Sequence, residues 1–126
     1  MKLIKNGFSV GIWSENYKEL AKWYTDILGI EEDLSANMDN DSFVAFQFGE
    51  CWFWVGQHSE VKGKSKDPYR IMPEFYVESV LETYEELKQK GVKIIAAPFA
   101  DPTDFEKFCM TIQDPEDNIL QFYGKK

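Results

Sequence analysis

Histidine is almost missing from this chain: His58 is the one imidazole in 126 residues. A metal centre built on several histidines is therefore excluded. Cysteine is nearly as scarce. Cys51 and Cys109 each fall within a predicted strand among bulky apolar residues, which suits buried thiols better than a disulfide framework and fits a reducing cytoplasm. Basic side chains are outnumbered, 14 against 22 acidic, for a formal charge of −8. Such a chain repels phosphate backbones and anionic lipid, so neither nucleic acid nor membrane is an expected partner. No apolar run approaches the length of a membrane span, and "MKLIKNGFSV" lacks the long apolar core of a signal peptide. A soluble, cytoplasmic protein is expected.

Aromatic residues are plentiful, with 4 Trp, 6 Tyr and 10 Phe, and 44% of the chain is hydrophobic. At this length that supports one domain with a real core and not two independent ones. The acidic run "EEDLSANMDND", Glu31 to Asp41, reads either as a solvated loop or as part of a field that draws cationic ligands.

The helices carry an internal repeat. Asn16-Tyr17-Lys18-Glu19 is a variant capping box, followed by Tyr17, Leu20, Ala21, Tyr24, Ile27 and Leu28 on one face and by Gly29 as a stop. Ser79-Val80-Leu81-Glu82 is a full capping box, Val80, Tyr84 and Leu87 continue the face, and Gly91 closes it. Superposing the caps places Tyr17, Ala21 and Tyr24 on Val80, Tyr84 and Leu87. Each helix follows a short strand, Phe8 to Trp13 and Met72 to Val77, and precedes three more. These are about Glu32 to Met38, Phe43 to Phe48 and Cys51 to Val55, then Lys93 to Ala97, Lys107 to Gln113 and Ile119 to Tyr123. The pattern is α+β: two βαβββ modules, about 5–56 and 71–124, joined by a polar linker, about 57–70, within a single domain over 1–126.

This repeat resembles the vicinal oxygen chelate superfamily of glyoxalases, extradiol dioxygenases and fosfomycin- and bleomycin-resistance proteins. The likeness runs from "GFSVGIWSEN…AKWYTDILGI" to "DPEDNILQFYG". The last segment resembles the family's Asp-Pro-Asp-Gly-Asn turn, with Glu116-Asp117 where Asp-Gly is usual, and "WYTDILGI" resembles the common ending of the first helix. The resemblance implies a cupped, curved mixed sheet with helices on its outer face, and a homodimer with pockets in the clefts. It also implies a divalent metal held from the first and last strands of each module. Carried onto this chain, the metal positions fall on Ser9, Met72, Gln121 and a residue near Trp52 or Trp54; a register shift of two replaces Met72 by Glu74. Ser, Met, Gln and an aromatic offer no imidazole or anionic oxygen to replace an ion's water shell. No cofactor is therefore expected, with divalent metal as the alternative, and His58 reads as an exposed linker residue.

Strand alternation puts Ser9, Gly11 and Trp13 on one face, Met72, Glu74 and Tyr76 on another, and Ile119, Gln121 and Tyr123 on a third. Phe8, Val10 and Ile12, Phe75 and Val77, and Leu120 and Phe122 are expected beneath the helices. The candidate ligand-binding set is Ser9, Trp52, Trp54, Met72, Glu74, Tyr76, Gln121 and Tyr123, with a small molecule as partner. The alternative is that these aromatics are simply core. Three functions are compatible with these features: a metal-free protein of the bleomycin-resistance type that sequesters a planar or cationic molecule, a divergent enzyme of the superfamily (lyase, isomerase or dioxygenase), or a regulatory module that kept only the fold.

Overall fold

A computed structural model of the chain describes every residue except Asn6 and Asn40. The acidic run Glu31 to Asp41 includes Asn40, so that reading lies partly outside the described residues. Backbone contacts divide the chain into two compact units, Met1–Gly63 and Lys64–Lys126.

The first unit runs β1 (Ser9–Trp13), α1 (Tyr17–Leu28), β2 (Leu34–Met38), β3 (Asp41–Phe48) and β4 (Cys51–Gly56). The second runs β5 (Glu74–Ser79), α2 (Val80–Gln89), β6 (Lys93–Ala100), β7 (Lys107–Gln113) and β8 (Ile119–Lys125). Each unit builds a four-stranded mixed sheet of the same topology, β1-β4-β3-β2 and β5-β8-β7-β6. In each, the first strand pairs in parallel with the last and the remaining pairs are antiparallel. The expected α+β repeat of two βαβββ modules is therefore present. Among the described residues no helix is long and apolar enough to cross a membrane.

One face of each sheet is covered by its helix. In α1, Tyr17, Leu20, Ala21 and Tyr24 are buried, and the Tyr24 ring meets Phe53 edge-on at 4.9 Å while Phe46 stacks on Phe53 at 5.9 Å. In the second unit Val80 and Leu87 of α2 are buried together with Met110, Ile112, Leu120 and Phe122. Burying each such side chain contributes about 1.5–3 kcal/mol.

Both helix stops behave as the sequence predicts: Gly29 and Gly91 adopt φ of +66° and +73°, where a side chain would be strained. The N-termini differ. The Ser79 hydroxyl accepts from the Glu82 amide at 3.3 Å, whereas Asn16 makes no side-chain cap and its own amide donates instead to the Ser14 hydroxyl at 2.9 Å. The Ser14 hydroxyl thus serves the Asn16 N–H, the group that the Glu19 side chain of a capping box would serve.

Three further expectations are corrected. Phe8 precedes β1 and is 69% exposed, because the strand begins at Ser9 and only the Phe8 carbonyl takes part in pairing, accepting from Trp52. Cys51, at the start of β4, is exposed, while Cys109 is buried; both are free thiols. Ile119, expected on the open face, is fully buried at the turn end of β8.

Candidate functional site

The opposite, helix-free face of the first sheet carries a band of indoles. Parallel pairing of β1 with β4 sets Ser9 across from Trp52, Gly11 across from Trp54 and Trp13 across from Gly56. Antiparallel pairing with β3 sets Ala45 beside Trp54 and Phe43 beside Gly56. Trp54 and Trp13 therefore each lie against a glycine on the neighbouring strand: a β-carbon on Gly11 would stand 2.0 Å from the Trp54 ring, and one on Gly56 3.0 Å from the Trp13 ring. The two indoles meet edge-to-face, with centroids 4.6 Å apart and planes at 73°. Such aromatic pairs contribute about 0.5–1.5 kcal/mol beyond their burial.

These residues wall a pocket of about 390 Å³ lined by Ser9, Trp13, Leu34, Phe43, Ala45, Trp52 and Trp54. Three of the residues in the predicted site, Ser9, Trp52 and Trp54, meet here. Trp13, Leu34, Phe43 and Ala45 were outside the predicted set, although alternation from Ser9 reaches Trp13 and the pairing of β3 with "CWFWV" supplies Phe43 and Ala45. His58 stands beyond the pocket lining, its ring 5.0 Å from Trp13 and its Nδ1 accepting from the Glu60 amide. A cavity of about 410 Å³ lies behind the same sheet between α1, β2 and β3, where Lys18, Lys22 and Glu32 bring charge to the wall. It touches none of the predicted site residues.

The open face of the second sheet is polar. Glu74 lies across from Gln121 and Tyr76 across from Tyr123. The Gln121 Nε2 donates to Glu74 Oε2 at 2.9 Å, and the tyrosine rings stand 5.4 Å apart. Tyr76 is 79% exposed. On β7, Cys109 faces Tyr123 and Thr111 faces Gln121. Burial pushes the Cys109 thiol above its ordinary pKa, and the negative charges of Asp101 and Glu74 add to that effect. Burial likewise raises Tyr123, followed by the charge of Asp101. Asp101 itself is held below the ordinary carboxylate value, first by the Thr103 backbone amide and next by the Thr103 hydroxyl.

Met72 does not join this face. It precedes β5 and is 40% exposed. Pro73 has no N–H to extend the ladder and only its carbonyl takes part, accepting from the Gln121 amide at 2.9 Å. The joints between strand and helix differ. In the first unit Ser14 and Glu15 lie between β1 and the cap residue Asn16, whereas β5 runs up to its cap residue Ser79 with a bulge between Val77 and Ser79.

The positions carried over for the family's metal are Ser9 and Trp52 or Trp54 in the first unit, and Met72 or Glu74 with Gln121 in the second. Taken by residue type they offer a hydroxyl, an indole, an amide and at most one carboxylate, and that carboxylate is already engaged by the amide. This donor set does not fit a divalent ion, which requires about three strong oxygen or nitrogen ligands. Among the described residues, no three His, Cys, Asp or Glu side chains are grouped so as to hold a metal ion.

Solved structures share the fold at low identity. A glyoxylase/bleomycin resistance protein/dioxygenase domain from a Frankia species matches with a TM-score of 0.73 and 19% identity, covering 100% of this chain and 99% of that one. A glyoxalase family protein from Enterococcus faecalis matches with a TM-score of 0.70 and 19% identity over 91% of this chain and 94% of its own. Among proteins of curated function, none matches. The sequence profile named Glyoxalase/Bleomycin resistance protein/Dioxygenase superfamily matches residues 8–122, nearly the whole chain, and the protein belongs to that superfamily.

Proposed function

We propose that the protein binds and sequesters a planar or cationic small molecule without transforming it, that it does so without metal, and that it works as a cytoplasmic homodimer. The observation that carries this reading is the 390 Å³ pocket walled by Trp13, Trp52 and Trp54. Stacking on several indoles supports affinities near the micromolar range, about −8 kcal/mol. The donor chemistry of Ser9, Trp52, Glu74 and Gln121 supports the absence of metal, and two unpaired thiols support a reducing compartment.

Titration of intrinsic tryptophan fluorescence with bleomycin-type glycopeptides and smaller cationic aromatics tests this reading. A saturable change with unaltered ligand recovered afterwards supports it; a flat response across the panel counts against it. Native mass measurement of the purified protein reports both dimerisation and any metal carried along.

A second reading rests on Glu74, whose carboxylate is exposed and fixed by Gln121. In a divergent lyase, isomerase or dioxygenase it would act as the general base. Turnover that disappears in E74Q, or that appears only on adding manganese, nickel, zinc or iron, would favour this reading over sequestration.

A further inference from the structure

We infer that the indole pocket of the first unit selects a compact, planar and uncharged ring system, with Ser9 as its hydrogen-bonding group; this rests on the sequestration reading and narrows it. Among the described residues seven line the pocket, and none of these is ionisable. A ligand cation placed there would shed water and meet no carboxylate, and an indole face returns only about 0.5–2 kcal/mol of that cost. The chain's net charge of −8 attracts cations to the surface as a whole, but that long-range attraction is screened at physiological salt and does not distinguish this pocket.

Shape points the same way. Gly11 and Gly56 allow Trp54 and Trp13 to lie close against the neighbouring strands, and the 73° between the two indole planes makes a floor and a wall. A flat ring resting on one indole presents its edge to the other, so both favourable aromatic geometries are met by a single planar guest. A volume of about 390 Å³ lies at the small end of ligand pockets and suits a bicyclic or tricyclic ring rather than a large glycopeptide. Apart from the indole N–H groups, the only side-chain hydrogen-bonding group on the wall among the described residues is the Ser9 hydroxyl, which can donate and accept.

Ligand-observed NMR titration with 2-naphthylmethanol and 2-naphthylmethylammonium separates these ideas, because the two probes share a ring and differ in charge. At 150 mM salt, a condition about one Debye length of 8 Å, the alcohol should bind at least tenfold more tightly than the ammonium. In S9A the alcohol should weaken severalfold while 2-methylnaphthalene, which has no polar group, keeps its affinity. Equal or tighter binding of the ammonium would overturn the selection for neutral rings and leave sequestration standing. If S9A leaves the alcohol unaffected, the role of Ser9 is lost. Failure of all three probes to bind overturns the sequestration reading itself.

Discussion

Trp54 occupies the space in front of Gly11, so closely that a β-carbon added to that glycine would lie 2.0 Å from the indole. Glycine inside a strand ordinarily costs stability, and its replacement by alanine ordinarily helps. Here the added methyl group must lift the ring away from the sheet and disturb its edge contact with Trp13. G11A should lose about 1–2 kcal/mol in urea denaturation and weaken the binding of planar probes. An alanine at this position that left both unchanged would show that the ring is not seated as described.

Gly124 makes a harder contact, because its nearest neighbour is the Val77 carbonyl oxygen of β5, 2.0 Å from where a β-carbon would sit. Backbone cannot rotate aside as an indole can. G124A should cost about 3 kcal/mol, more than G11A, whereas G7A, with nothing nearby, should be neutral.

Q121E sets a second carboxylate against Glu74, whose Oε2 is 2.9 Å from the Gln121 amide nitrogen. Two carboxylates so close share a proton and titrate above the ordinary range. A folded-state pKa raised in this way gives stability that is present at low pH and lost as pH rises through it. The variant should match the parent near pH 4 and fall about 1 kcal/mol below it by about pH 8, a modest loss because Glu74 is open to solvent. Thermal melts across that range would measure it.

Asp101 provides the opposite sign. Its carboxyl is held low by the Thr103 amide and hydroxyl, both at 2.7 Å, so its contribution to stability is present above the unfolded carboxylate pKa and is lost as pH falls through the depressed folded value. T103V retains the amide and removes the hydroxyl, so carbon-detected NMR should find Asp101 titrating closer to the ordinary value. D101N should also lower the pKa of Tyr123 part of the way, since burial, the larger cause of its elevation, remains. Phenolate absorbance compared with Y123F would isolate that group.

Asp117 has φ of +65° in the closing turn, a conformation glycine adopts freely and other residues only at a cost. The turn is otherwise well tied: Asp114 Oδ1 accepts from the Glu116 and Asn118 amides at 2.8 and 2.9 Å. D117G removes an exposed pairing with Lys64 at 3.7 Å, worth little, and relieves the backbone. A net gain of about 0.5 kcal/mol, roughly 2 °C in melting temperature, is expected.

The helix stops and the alternation within most of β4 and β8 could be read from the chain because they depend on spacing within one element, although Cys51 and Ile119 at the strand starts depart from it. Phe53 and Val55 are buried beneath α1 while Trp52 and Trp54 face the pocket, as alternation requires. What escaped depended on joints between elements. The strand-to-helix joints differ between the units, with Ser14 and Glu15 standing between β1 and the cap residue Asn16 while β5 runs up to its cap residue Ser79. The pairing of Trp54 with Gly11 and of Trp13 with Gly56 depends on a parallel ladder, and no local pattern announces which residues such a ladder will bring together.

The strand order also bears on how the protein is made. In each unit the opening strand has no hydrogen-bonded neighbour until the closing strand arrives, because β4 and β8 lie between the first strand and the rest. On the ribosome, Ser9–Trp13 must wait for Cys51–Gly56, and Glu74–Ser79 for Ile119–Lys125. Each unit therefore completes its sheet late, by a distant closure that carries a loop-entropy cost, while its antiparallel strands form earlier and locally. Nascent chains arrested just before Cys51 would hold the helix and two strands yet leave β1 unpaired, and those are the lengths at which a chaperone should find most to hold.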